Sequence, residues 1–392
     1  MVRNIVLLSP QFPEWVMKFA LALGKYNDVN VLGISDQPYD SLPEELKAAL
    51  TEYYRVDTMD DYDSLVRAVG FYTHKYGKID RFESLNEHWL ETEARIREDF
   101  NIPGPRLDFI EGIRSKSRMK DFFKKAGVAT IKGTVATTLK EALKFTKKVG
   151  YPVVVKPDSG SGAAFTYRVD NDERLAEIFA ARPADSGPLA VEEFMDADTL
   201  TYDGIVDADG KILIDNTSRT DLLIMDVVNS GDNANYICLP DVPANIRAAG
   251  EAIVKAYNLR ERFFHIELFD RRDGKGLVGL EINLRPPGGW LTDAMNVAHS
   301  TDVYDRWAAM IAGAPQPEQW PEKYYAAYAS RKNFNNYAHS NDDCRQYLGD
   351  RLITYKPIEK ILQAAMGDEA YLVRAKTNKE ATEMINYIQE RV

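Results

Sequence analysis

Two glutamates in apolar surroundings constrain this chain more than any other feature of its sequence. Glu267 and Glu281 lie in successive runs of alternating apolar residues, and residues 270–276 between them have the composition of a turn. The pattern predicts a β-hairpin, and a turn centred on Gly274 would place the two glutamates directly opposite each other. Because like charges on paired strands repel, we expect cations to be held between them.

The second strand of this hairpin carries further polar residues. Alternation places Asn283 and Arg285 on the same face as Glu281. Oxygen ligands beside a guanidinium suit Mg²⁺ and phosphate. A surface hairpin with solvated acids is the alternative, and it is the more common setting for two glutamates. The apolar flanks favour the metal site, since a buried acid pair without a partner would be costly.

Composition narrows the class of protein. The chain has 392 residues, which suggests two to four domains, and its 49 Lys plus Arg against 60 Asp plus Glu give a charge of −11. This balance argues against nucleic acid or an anionic membrane as a partner. Cys238 and Cys344 form no paired motif, so neither a disulfide framework nor a zinc site is predicted. Without a membrane-length apolar run or a signal-peptide pattern, we expect a cytoplasmic protein.

The first hundred residues alternate between strand and helix patterns, which predicts a doubly wound, mainly parallel sheet. A Pro/Gly run at 102–105 marks the end of this unit. Thr138 to Glu141 form a capping box before a helix that closes at Gly150. The predicted domains are 1–112, 113–192, 193–320 and 321–392.

A lysine and a glycine-rich loop follow one another in the second unit. Lys156 ends an apolar strand, and the loop after it contains four small residues, Ser159, Gly160, Ser161 and Gly162. Small residues let backbone N–H groups approach a polyphosphate, although an ordinary turn is the alternative. The lysine precedes the glycines, which does not fit a P-loop, and the kinase motifs are missing from the sequence.

The order of these motifs resembles the ATP-grasp superfamily. It runs from the lysine strand and glycine loop through residues 191–195 to the hairpin ending in Glu-x-Asn-x-Arg, and the resemblance covers roughly residues 1–320. The chain is most similar to stand-alone carboxylate–amine ligases, and also to half of the carbamoyl-phosphate synthase large chain and to biotin carboxylase. The resemblance implies an α/β fold: a parallel N-terminal sheet, a two-lobed ATP-grasp domain with an antiparallel sheet, and a small C-terminal α+β tail.

The resemblance also implies roles for individual residues. Lys116 and Lys156 would hold phosphates, the loop from Ser159 to Ala164 would close over them, and Glu267, Glu281 and Asn283 would bind Mg²⁺ or Mn²⁺. The adenine hinge would be Glu193, Phe194 and Met195, and Arg285 would steady the transferred phosphoryl group.

Two positions depart from the family pattern. Thr199 stands where relatives carry an acid for the ribose, so Asp198 or Asp203 is expected to replace it. His265 occupies a place where some relatives have an arginine facing the acyl phosphate, which implies a catalytic role. A core histidine satisfied by its neighbours is the alternative.

Substrate contacts are predicted where the hairpin meets the N-terminal domain. The candidates are Ser9, Glu14, Glu87, Arg219, Gly288, Gly289 and Arg331. The expected function is ATP-dependent ligation of a small-molecule carboxylate to an amine, with amino acids as candidate substrates. A phosphotransferase or carbamoyl-phosphate-type synthetase and a non-catalytic ATP-binding protein are the alternatives. Analogy with such enzymes suggests a homodimer.

Overall fold

A computed structural model describes residues 2–158, 166–182, 187–220 and 231–392. The N-terminal strands are β1 (Arg3–Leu8), β2 (Val29–Ser35), β3 (Glu52–Arg55) and β4 (Arg81–Glu83). They form the predicted parallel sheet in the order β3-β2-β1-β4. Its helices are α1 (Glu14–Leu23), α2 (Glu44–Ala49), α3 (Tyr62–Tyr76) and α4 (Leu90–Asp99). The helix predicted from Glu87 begins with a separate 3₁₀ turn, Glu87–Trp89.

A small antiparallel sheet follows. The elements of this region are α5 (Leu107–Arg114), α6 (Lys116–Lys125), β5 (Ala129–Thr130), β6 (Gly133–Ala136), α7 (Leu139–Val149), β7 (Val153–Pro157), β8 (Tyr167–Val169), α8 (Asp172–Ala181) and β9 (Leu189–Glu193). Four of the strands pair in the order β6-β9-β7-β8. The predicted capping box is present, because Thr138 accepts from the Glu141 N–H and the Glu141 side chain accepts from the Thr138 N–H.

The rest of the chain builds one large sheet. Its elements are β10 (Ala197–Val206), β11 (Ile212–Asn216), β12 (Ser218–Thr220), β13 (Asn235–Cys238), α9 (Ala244–Ala256), β14 (Arg262–Arg271), β15 (Leu277–Asn283), α10 (Leu291–His299), α11 (Val303–Ala312), β16 (Tyr325–Arg331), α12 (Asn341–Leu348), β17 (Leu352–Pro357), α13 (Gln363–Met366), β18 (Glu369–Ala375) and α14 (Asn378–Gln389). The strand order is β17-β18-β16-β13-β12-β10-β14-β15-β5, and β11 pairs with β10.

The C-terminal tail belongs to this sheet. Its strands β16, β17 and β18 continue from β13, where Asn235 pairs with Ala329. The predicted boundary between residues 320 and 321 therefore divides one continuous sheet, and the four-domain division stays a prediction.

The N-terminal sheet packs against the large sheet through α1. The ring of Phe19 contacts the rings of Phe263, Tyr304 and Trp307, at centroid distances of 6.1, 4.8 and 5.2 Å. Lys18 on the same helix pairs with Asp293 of α10 at 2.7 Å. The end of β4 also contacts the start of β14, because Arg262 pairs with Glu83. Within the described part of the chain, every helix is too short or too polar to cross a lipid bilayer.

Candidate active site

The two glutamates of the hairpin face each other in the predicted register. Strands β14 and β15 pair Glu267 with Glu281 and His265 with Asn283, and a bulge follows after Glu267. Both glutamates are half-buried, and Asn283 is buried. The pKa of Glu267 is lowered: burial acts to raise it, but His265, Arg285 and Lys156 outweigh that effect. The carboxylate is therefore held ionised by cations around the hairpin.

Asn283 lies between two carboxylates. One end of its amide is 3.4 Å from Glu281 Oε1, and the other end is 3.1 and 3.3 Å from the two oxygens of Glu87. The amide nitrogen can donate to only one of these two carboxylates at a time. Carboxylate and amide oxygens clustered in this way are ligands that suit a bound cation. This arrangement fits the predicted metal site.

Arg285 and Glu87 meet at the same place. The Arg285 Nε and Nη2 groups donate to Glu87 Oε2 at 3.3 and 3.0 Å. Glu87 comes from the N-terminal domain and Arg285 from the end of β15. The predicted substrate residue Glu87 and the predicted phosphoryl-steadying arginine are therefore brought together between the two sheets.

His265 is held between two acids. Its Nδ1 lies 2.6 Å from Asp203 Oδ1, and its Nε2 lies 3.4 Å from Glu267 Oε1. Burial acts to lower the pKa of His265, but the two carboxylates raise it to about 9. The ring therefore carries a positive charge at neutral pH. These contacts combine both sequence interpretations, since the histidine is satisfied and buried, yet it touches a predicted metal ligand.

A chain of hydrogen bonds continues from Asp203 away from the hairpin. Asp203 accepts from Thr201 Oγ1 at 2.6 Å and from Asn216 Nδ2 at 3.1 Å. The Asn216 oxygen then faces His299 Nε2 at 3.0 Å. Asp203 is completely buried. It is consequently not retained as a ribose contact.

The predicted phosphate lysine, Lys156, comes from the small sheet. The space between Lys156 and the acid hairpin is called the cleft below. Lys156 pairs with Glu192 Oε2 at 2.7 Å, and Lys120 pairs with Glu192 Oε1 at 2.6 Å. Burial acts to lower the pKa of Lys156, but Glu192 and then Glu281 and Glu267 raise it. Lys156 therefore interacts electrostatically with the two glutamates of the acid hairpin. The pKa of Glu192 falls to about 2, because the two lysines outweigh its burial.

Sequence reasoning missed Glu192 and Lys120. Adjacent residues of a strand face opposite sides, and the structure turns Glu192 into the cleft while Glu193 pairs with the exposed Lys132. Lys120 follows Lys116 by one helical turn, so helical periodicity is the signal that could have found it. The adenine contact of Glu193 stays a prediction.

The remaining hinge residues have backbone partners of their own. The Phe194 N–H donates to the Pro152 carbonyl oxygen at 3.2 Å, so this donor is already used. Arg168 covers the Phe194 ring at 4.6 Å. The adenine contacts of Phe194 and Met195 stay a prediction. Ser159, Gly160, Ser161 and Gly162 lie outside the described residues, as does the side chain of Lys116.

Asp198 and Arg219 lie on the opposite face of the large sheet from the acid pair. Strand alternation separates Asp198 from Thr201, the residue paired with Glu267. Asp198 is held by Arg219 at 2.5 Å and by Arg272 at 2.7 Å. The predicted ribose contact of Asp198 and substrate contact of Arg219 stay predictions. The hydroxyl of Thr199 is buried, and no described residue forms a hydrogen bond with it.

Arg331 is a buried residue with partners inside the protein, and its predicted substrate role stays a prediction. Its guanidinium donates to the Ile388 carbonyl oxygen at 2.6 Å and to Asn341 Oδ1 at 2.9 Å, and it contacts Cys344 Sγ at 3.1 Å. These partners belong to the tail, away from the hairpin. Gly288 is exposed and Gly289 is buried at a φ of +64°, in the loop directly after Arg285. Their substrate contacts stay a prediction.

The described residues supply part of a metal shell. No cluster of three or more His, Cys, Asp and Glu side chains within the described ranges is placed to hold a metal ion. Glu267, Glu281 and Asn283 give two carboxylates and one amide, whereas Mg²⁺ takes six oxygen ligands. The residues present fit a cation whose remaining ligands come from phosphate and water.

Comparison with known sequences finds a family match for the middle of the chain. Residues 115–214 match the family model of the ATP-binding domain of the carbamoyl-phosphate synthase L chain. The L-arginine-specific L-amino acid ligase of Bacillus subtilis is 21% identical over 296 residues, which are 74% of this chain and 70% of that protein.

Solved structures match almost the whole chain. The L-amino acid ligase of Bacillus licheniformis superposes with a TM-score of 0.72 at 14% identity, over 98% of this chain and 96% of that one. The biotin carboxylase domain of the Hydrogenobacter thermophilus 2-oxoglutarate carboxylase, solved with MgADP, gives a TM-score of 0.69 at 18% identity, over 98% and 89%. At these identities the match establishes the fold.

Proposed function

Because the chain belongs to the ATP-grasp superfamily, we propose that it is an ATP-dependent carboxylate–amine ligase. A carboxylate oxygen attacks the γ-phosphorus of ATP, and ADP leaves. An amine then attacks the carbonyl carbon of the acyl phosphate, and phosphate leaves as the amine loses a proton. The amino acid ligases among its relatives make amino acids the first substrates to test.

One observation carries the proposal: Lys156, the acid hairpin and Arg285 converge from separate parts of the fold. Burial acts to lower the pKa of Lys156, and Glu192, Glu281 and Glu267 together raise it, although Lys156 lies in another sheet. Arg285 meets Glu87 between the sheet and the N-terminal domain. A non-catalytic protein would have no use for an arginine beside the acids in addition to the nucleotide contacts.

The chain's own groups would act by position and charge. Lys156 would exchange its contact with Glu192 for a phosphate oxygen, and Arg285 would offset charge on the transferred phosphoryl group. A bound Mg²⁺ would supply further neutralisation of the phosphates. Glu267, Glu281 and Asn283 are the residues that would hold it. Glu87 stands where it can orient Arg285 and meet an amine.

The test measures ADP release from ATP and Mg²⁺ with a panel of amino acids and small carboxylates, each alone and in pairs. A ligase requires both an acid and an amine, whereas a phosphotransferase releases ADP with one acceptor. We expect Lys156→Ala and Glu281→Ala to lower ADP release by at least about 100-fold, since each removes charge from the transition state. Lys124→Ala is the control, because Lys124 is exposed and pairs with Asp121.

Unchanged ADP release in the Lys156 and Glu281 variants would contradict the assigned site. Release with a single acceptor would replace the ligase by a phosphotransferase.

A further inference from the structure

Asp203 is a buried carboxylate whose hydrogen-bond partners all belong to the protein. It is completely buried, and both of its oxygens are occupied by partners from the protein. Oδ1 lies 2.6 Å from His265 Nδ1, and Oδ2 accepts from Thr201 and Asn216. A carboxylate enclosed in this way has no oxygen left for a ligand.

His265 connects this carboxylate to Glu267. Asp203 is paired with His265 in the register of β10 and β14, and the other ring nitrogen faces Glu267 Oε1 at 3.4 Å. Since both nitrogens face carboxylates, both are donors in this geometry. The ring therefore contacts one oxygen of Glu267 from the side of Asp203.

We propose that Asp203 is a positioning residue that, through His265, orients Glu267 for a divalent cation bound together with the nucleotide. The inference rests on the proposed function, which supplies that nucleotide. The hydrogen-bond partners of a metal ligand fix its orientation, and their loss typically weakens metal binding by about 10- to 100-fold.

Asp203→Asn tests the proposal, because asparagine keeps the size and one acceptor oxygen but removes the charge that holds the ring. Calorimetry would measure the affinity for ADP with Mg²⁺ and with EDTA, for the unsubstituted protein and the variant. We expect the tightening of ADP by Mg²⁺ to fall by about 10- to 100-fold, with the metal-free ADP affinity unchanged. Equal tightening in both proteins would overturn the proposal.

His299→Gln is the matched control. It alters the far end of the same hydrogen-bonded chain, where His299 meets Asn216, and leaves Asp203 and His265 in contact. We expect it to keep the full effect of Mg²⁺ on ADP affinity. A loss equal to that of Asp203→Asn would mean that any break in the chain disturbs the site, and would overturn the specific role of Asp203.

His265→Gln provides a second variant in case Asp203→Asn does not fold, as judged by its thermal transition. It removes the ring that joins the two acids and is expected to lose the same Mg²⁺-dependent tightening. A full effect of Mg²⁺ in a folded His265→Gln protein would overturn the proposal. If the unsubstituted protein bound no ADP with or without Mg²⁺, the proposed function itself would fail.

Discussion

Glu192 holds together two lysine ammonium groups that would otherwise repel each other at the cleft. Lys156 and Lys120 each contact one of its oxygens, and the carboxylate is almost fully buried. The pairing keeps Lys156 charged inside the protein.

Replacement of Glu192 by glutamine should therefore destabilise the fold in a pH-dependent way. The pKa of Glu192 is about 2 in the folded protein against 4.5 in the unfolded chain, so its contribution is complete above pH 4.5 and is lost as the pH falls towards 2. The shift corresponds to about 3 kcal/mol. We expect urea unfolding to show this difference between the two proteins at pH 7, shrinking by about half at pH 3. A difference independent of pH would contradict the prediction.

The contact between α9 and β10 depends on a glycine. A Cβ placed on Gly250 would lie 2.0 Å from the Tyr202 ring, which is fully buried in the sheet. We expect Gly250→Ala to lower the free energy of unfolding by about 2–3 kcal/mol through overpacking. A Cβ placed on Gly70 in α3 would meet no atom within 4 Å, so Gly70→Ala should be neutral or stabilising by up to about 1 kcal/mol. Equal effects in a urea titration would contradict this difference.

Helix α10 is tied to the large sheet by a neutral histidine. Burial lowers the pKa of His299 to about 4, against 6.5 in the unfolded chain. Because the unfolded state binds the proton more tightly, stability is complete above pH 6.5 and falls as the pH drops towards 4. We expect a loss of about 2 kcal/mol between pH 7.5 and pH 5 in urea unfolding. His299→Gln should lack this part of the slope, and an unchanged slope would contradict the assignment.

Local sequence patterns predicted the strands that hold the acid pair. The orientation of Glu192 and Glu193 was not predicted, because it depends on long-range strand pairing. The hairpin register follows from a turn at Gly274 and from alternation on either side, and Glu267 and Glu281 lie opposite each other as predicted. The capping box at Thr138 is equally local. Which of Glu192 and Glu193 faces the cleft depends on how β9 packs between β6 and β7, and no local pattern decides it.

At the scale of the molecule, two sheets and the N-terminal domain each provide part of the proposed site. The binding of metal and the binding of nucleotide should therefore depend on each other. The hairpin and Asn283 provide fewer ligands than Mg²⁺ requires, and phosphate oxygens would complete the shell. We expect ATP with Mg²⁺ to raise the thermal transition by several degrees and Mg²⁺ alone to leave it almost unchanged. An equal rise with Mg²⁺ alone would contradict a shared site.

The continuity of the large sheet also has a consequence for synthesis. One edge of β13 is covered by β16, which comes later in the chain. Because Asn235 pairs with Ala329, roughly ninety residues must be translated before that edge of β13 is covered. At ribosomal speeds this takes about 5–20 seconds. During that interval the nascent chain exposes an unpaired strand edge that other chains can pair with and that chaperones would shield.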